Sequence, residues 1–217
     1  MFDTALTAND LIFLAKGAGM TIMVTAISVF FGTILGIVFG VVRYQIGPWW
    51  AAPLTFVLDI FRSIPLLIQL VLANAFVTTV LGFRISGLSI ACGVLSLYTS
   101  AYCAEIVRGG IESVPLTLRR ASRSLGMTWG QDMRNIVLPL ATRVALPSWI
   151  GLSLGVMKDS ALVFIVQVIE LMKSTQILIV RLNEPLFLLM ICGAFYFIIS
   201  FPLARFGGYL EKRWSND

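Results

Sequence analysis

Four stretches of this chain carry no charged residue: 17–42, 63–83, 85–104 and 185–204, of 26, 21, 20 and 20 residues. Each is long enough to cross a hydrocarbon core about 30 Å thick as a helix. In such a core the backbone must satisfy its own hydrogen bonds, and a single segment does so only as a helix. A fifth stretch, 136–157, is broken only by Arg143, whose long side chain can snorkel to the interface. With 58% hydrophobic and 12% charged residues among 217, the composition excludes an ordinary soluble domain, which is nearer half apolar and a quarter charged. The expected fold is an all-α integral membrane protein of one domain, 1–217. Its spans are expected near 17–42, 55–81, 85–107, 136–157 and 185–207, with a connecting loop at 108–135.

The charges give an orientation. Arg43, the loop residues Arg108, Arg119, Arg120, Arg123 and Arg134, and the terminal Arg205, Lys212 and Arg213 fall on one side of five spans. Lys16, Arg84, Lys158, Lys173 and Arg181 fall on the other, offset by Asp3, Asp10, Asp159, Glu170 and Glu184. The positive-inside rule then places the amino end outside and the carboxyl end in the cytoplasm. Topology explains the basic clusters, so no nucleic-acid partner is expected. Asp3 and Asp10 deny the start a basic region, and the first apolar run is too long for a signal core, so no cleaved leader is expected. Three cysteines in apolar surroundings read as buried thiols. The sequence has no histidine, which removes the commonest catalytic base and zinc ligand; no catalytic or metal site is expected.

Within the first span Gly32, Gly36 and Gly40 recur every four residues, either lining a face for close helix approach or reflecting the tolerance of membrane helices for glycine. Residues 1–16 read as a polar lead or interfacial helix, and "YQIGPWW" as a turn whose tryptophans suit the interface. In "DIFRSIPLLIQL" Asp59 and Arg62 stand at ion-pair spacing, Pro65 predicts a kink, and Gln69 is either a helix–helix hydrogen bond or a pathway group. The 158–184 region is amphipathic with too short an uncharged core to span, so a re-entrant or interfacial segment is expected.

The loop "SVPLTLRRASRSLGMTWGQDMRNIVLP" predicts a structured projection. Ser113 and Pro115 suit a helix start. Leu118, Ala121, Ser122 and Leu125 follow at helical spacing, with Arg119, Arg120 and Arg123 turned away from that stripe. Gly126 suits a left-handed helix end, and Thr128 with Gln131 a capping box that restarts one. Pro139 and Pro147 loosen the return into the membrane. This reads as a rigid knob that either holds two spans in register or docks a cytoplasmic partner.

"AEIVRGGIESVP…RRASRSLGMTWGQDMRNIVLP", with "FRSIPLLIQL" and "MKDSAL…IEL" in the same order, resembles the permeases of ABC importers, narrowly those for polar amino acids and opines. The resemblance covers about residues 14–210. It implies a type I importer permease fold in a bacterial inner membrane, whose loop helix, by position Pro115 to Gly126, couples to an ATPase subunit. It implies two ATPase copies, a second homologous permease, an extracytoplasmic substrate-binding protein and a small polar cargo. ATP and magnesium would sit on the ATPase, since no Walker A pattern occurs here. Ala121, Leu125 and Gly126 match the motif core. The motif glutamate falls on Arg120, its second alanine on Ser122, its Gly-Gln pair on Thr117 and Leu118, and an Asn-Glu pair on Gly151 and Leu152. Arg120 raises the expectation of a heterodimer with a more standard permease.

The resemblance also implies a path lined by spans two and four and the "KDSAL" segment. Lys158 and Asp159 could meet the carboxylate and ammonium of a zwitterion, or pair with each other at the outer interface. Ser160, Gln69 and Gln167 are further lining candidates, whereas Glu170 reads as a gate or, by preference, a surface charge, and Asp59 with Arg62 as structural. An ion-driven carrier would normally bring more spans and buried carboxylates, a hydrolytic membrane enzyme its motifs, and a non-transporting assembly subunit is the third rival.

Overall fold

The computed structural model describes residues 6–82 and 85–215, and among them every regular element is helical. Asp3, Phe83 and Arg84, used above, lie outside the described residues. Helix α1 runs Ala8–Ser63, α2 Leu66–Ala75 with a π turn to Val80, α3 Gly87–Glu112, α4 Leu116–Ser124 and α5 Trp129–Asp132. A π turn, Met133–Val137, leads into α6, Leu138–Asp159; a 3-10 turn, Ser160–Val166, precedes α7, Leu171–Leu182, and α8 is Pro185–Ser215. Four stretches are long and apolar enough to cross a membrane: Ala8–Ser63, Gly87–Glu112, Trp129–Val166 and Pro185–Trp214.

Helix α1 is two arms. Gly47 breaks it at φ 77° and ψ 166°, a conformation closed to side-chain-bearing residues, and Pro48 follows. Arg43 Nε donates to Thr55 Oγ1 at 3.0 Å, across twelve residues that would span about 18 Å in a straight helix. The arms therefore fold back on one another. Glu105 of α3 ties them: its Oε2 accepts from Arg43 at 2.7 Å and Arg62 at 3.1 Å, and its Oε1 from Arg108. Asp59 lies 3.6 Å from Arg62. Trp49 and Trp50, just past the fold, are almost wholly exposed.

The glycine stripe does bring helices close. A Cβ on Gly32 would sit 2.5 Å from Thr99 Cβ and 2.8 Å from the Ser96 carbonyl. On Gly36 it would meet Cys103 Cβ at 2.5 Å, and on Gly40 the Ala104 carbonyl at 2.7 Å. So α3 lies in the groove these glycines leave, and it is the most enclosed of the four apolar stretches, while α8 is the least. Around it Val24, Leu66, Leu70, Leu95, Val156 and Val163 form the main core, joining α1, α2, α3, α6 and the 3-10 turn. A second core of Leu14, Leu171, Leu178 and Leu188 joins α1, α7 and α8. The three cysteines are free, Cys103 and Cys192 buried and Cys92 partly so.

Three stretches take a more definite form in the structure. The polar lead is helical from Ala8 and continuous with the first span, because Thr7 and Asp10 form a capping box and buried Asp10 pairs with Arg181 of α7. The second span is broken at Ile64–Pro65 rather than merely kinked. The 158–184 region holds a full helix, α7, packed on α1 and α8.

Candidate functional site

The connection between α3 and α6 is a folded unit with two seated legs. Ile111, Val114, Val137 and Ala141 form a buried apolar cluster at its base, with Val41, Tyr44 and Met133 packed against it. Ser113 Oγ donates to the Gly110 carbonyl at 2.7 Å, so it closes α3 instead of capping the next helix. Helix α4 begins directly after Pro115 with no side-chain cap. It ends at Gly126, whose φ of 78° lets Met127 N–H reach back to the Ser122 carbonyl at 3.1 Å. Thr128 N–H donates to Gln131 Oε1 at 2.8 Å, and the Gln131 N–H returns to Thr128 Oγ1, completing the capping box of α5.

The faces of α4 sort differently from the expected stripe. Arg119 and Ser122 point inward and are buried, while Leu118, Arg120, Ala121, Arg123 and Leu125 are exposed. The reason is Asp132, ten residues beyond Ser122 and fully buried. Its Oδ2 accepts from Arg119 Nε at 3.2 Å and its Oδ1 from Ser122 Oγ at 2.7 Å, while Arg119 also bonds the Tyr44 hydroxyl. A buried carboxylate is tolerated only with such partners, and it draws the arginine from the solvent face. Burial opposes the charge of Arg119, but its bonds to Asp132 and Tyr44 outweigh that and raise its pKa above the usual arginine value. Sequence periodicity missed Asp132 and Tyr44 because neither lies on α4. The one available signal was an aspartate at the foot of an apolar ascent, within reach of an arginine-rich helix.

At the far end of α6 the expected path residues scatter. Lys158 is exposed, and Asp159 is half-buried beside Tyr98. Ser160 is fully buried and donates to the Met157 carbonyl at 2.7 Å, at the end of α6. Gln167 is exposed in a left-handed turn at φ 63°. Gln69 is buried, and its amide donates at 2.8 Å to the carbonyl of Phe61 and at 2.7 Å to that of Ile64. Pro65 lacks the N–H that would have served Phe61, and Gln69 of α2 supplies it to α1, so the group is a helix–helix hydrogen bond that repairs the break between them.

Glu170 is not a surface charge. It is fully buried, capping α7 through the N–H groups of Met172 and Lys173 at 2.7 Å, with hydroxyl bonds from Thr21 of α1 at 3.3 Å and Tyr196 of α8 at 3.1 Å. Burial raises its carboxyl pKa above the usual range despite those donors. Among the described residues no group of histidine, cysteine or acidic side chains is arranged to hold a metal.

Comparison with known proteins fits this geometry. The family described as binding-protein-dependent transport system inner membrane component matches residues 28–216. The probable amino-acid ABC transporter permease protein YckA of Bacillus subtilis (strain 168) is 29% identical over 216 residues, covering 100% of this chain and 95% of that protein. The arginine transport system permease protein ArgU of Corynebacterium glutamicum is 31% identical over 229 residues, covering 100% of this chain and 70% of its own. The crystal structure of an amino acid ABC transporter with histidines superposes with a TM-score of 0.85 at 25% identity, over 97% of this chain and 100% of that one. The chain thus belongs to the binding-protein-dependent transport system inner membrane components, and it is a permease subunit of an ABC transporter and not an enzyme.

Proposed function

We propose that this chain is the permease of an ATP-driven importer for polar amino acids or the related opines, seated in a bacterial inner membrane. It makes five crossings: the two arms of α1 count separately, the second continuing through α2, and α3, α6 and α8 complete the set. The amino end lies outside, and the carboxyl end and the 108–135 knob lie in the cytoplasm. The partners are two copies of an ATPase subunit holding ATP and magnesium, an extracytoplasmic binding protein and a second permease. Arg120 motivates a heterodimer; purification of the complex with a single permease type would refute that part.

The observation that carries the reading is the knob's rigidity combined with its bare outer face. The Asp132–Arg119–Ser122 lock ties α4 to the end of α5, beside the apolar cluster that joins the end of α3 to the foot of α6. Leu118, Ala121 and Leu125 remain exposed for a partner to grip. A push on α4 therefore becomes a displacement of α3 and α6, and the tight α1–α3 contact passes it to both arms of α1. Lys158 and Asp159, with Gln167 nearby in sequence, are the groups proposed to meet the zwitterionic cargo.

The test is uptake into proteoliposomes holding the permeases, ATPase and binding protein. Uptake is expected to need ATP and to vanish in a Leu118→Asp/Leu125→Asp variant that still purifies as a folded subunit. Uptake driven by an ion gradient without ATP would assign the chain to secondary carriers instead.

A further inference from the structure

The outer surface of α4 is apolar and cationic at once. Leu116, Leu118 and Leu125 are 65%, 45% and 80% exposed. Arg120 and Arg123 are exposed beside them, and among the described residues neither forms a salt bridge. Helix α4 contains no acidic residue. A cleft of about 550 Å³ opens alongside it, lined by Tyr44, Gln45, Arg119, Arg123 and Trp129, so every charged group at its wall is positive. Asp132, which the inner face of α4 engages, is fully buried.

We propose that the ATPase subunit receives α4 in an apolar groove whose rim carries carboxylates opposite Arg120 and Arg123, so that this permease selects its ATPase by charge. The inference rests on the knob being the ATPase contact. Two guanidinium groups brought into a protein contact lose water. A neutral groove returns less for that loss than a carboxylate does, and a basic one repels them. A carboxylate matches the planar fork of arginine with two parallel hydrogen bonds. The same arrangement rejects a groove built for an acidic coupling helix, which is how charge enforces partner choice. An anionic bilayer would satisfy the arginines too, but two leucines on a nine-residue helix, with Leu125 just past its end, offer little apolar face for lying in an interface.

The experiment measures rebinding of the purified ATPase subunit to the full permease complex in nanodiscs, at low and high salt. Arg120→Glu/Arg123→Glu is expected to weaken binding at least about tenfold at low salt and to flatten the salt dependence. The Arg120→Gln/Arg123→Gln pair, which removes charge while keeping a similar length, is expected to fall between. Replacing a groove-rim carboxylate of the ATPase with lysine is expected to restore binding to the Glu pair. Unchanged affinity and salt slope in the Glu pair, while Leu118→Asp/Leu125→Asp abolishes binding, overturns the charge inference alone. If the leucine variant also binds normally, the knob is not the ATPase contact and the preceding reading fails with it. An effect of charge reversal seen only in nanodiscs of anionic lipid assigns the arginines to the bilayer and overturns the proposal.

Discussion

Replacing Gly32 with alanine tests the α1–α3 contact on which force transmission depends. The new Cβ would stand 2.5 Å from Thr99 Cβ and 2.8 Å from the Ser96 carbonyl oxygen, neither of them the free end of a flexible side chain. Ordinary contact begins near 3.4 Å, so the two helices must part by about 0.9 Å. Overpacking of this kind costs ~1–3 kcal/mol, and the better helix propensity of alanine returns up to about 1 kcal/mol. The net loss is about 1–2 kcal/mol, or roughly 3–6 °C in Tm for a chain of this size. Gly36→Ala and Gly40→Ala should behave alike. The triple variant should fall well short of their sum, because one separation of the helices relieves all three clashes. Gly19, in the same arm but with nothing within 4 Å of its would-be Cβ, is the control and should lose nothing. The assay is thermal unfolding in nanodiscs, read by labelling of buried Cys103. A Gly32→Ala protein as stable as Gly19→Ala, or a fully additive triple, would refute the close approach.

Two more expectations concern buried polar groups. Gln69→Leu should cost about 1–3 kcal/mol by stranding the Phe61 and Ile64 carbonyls beside the Pro65 break, measured as a lower Tm; Gln69→Glu, which also lacks the amide donor, should not rescue it. Glu170 binds its proton more tightly in the fold than in the unfolded chain, so the folded state holds more protons. Its contribution is therefore complete below the unfolded pKa and is lost as pH rises through the raised folded value. Stability measured against pH should fall across that window, and Glu170→Gln should flatten the slope while lowering Tm through loss of the α7 cap.

The sequence by itself determined the membrane class, the order of the apolar segments, the four-residue spacing of glycines in the first span, and the turn chemistry of the knob at Gly126, Thr128 and Gln131. These depend on run length, on spacing along one helix, or on the backbone needs of single residues, all of which are local. Only the tertiary structure decided which polar groups were spent internally. Arg119 and Ser122 turn inward because of Asp132, Gln69 serves a carbonyl that Pro65 abandons, Glu170 sits where α1, α7 and α8 meet, and Glu105 gathers arginines from both arms of a helix folded at Gly47. A polar group in an apolar setting goes to its nearest unsatisfied partner, and distance in the folded chain, not along it, selects that partner.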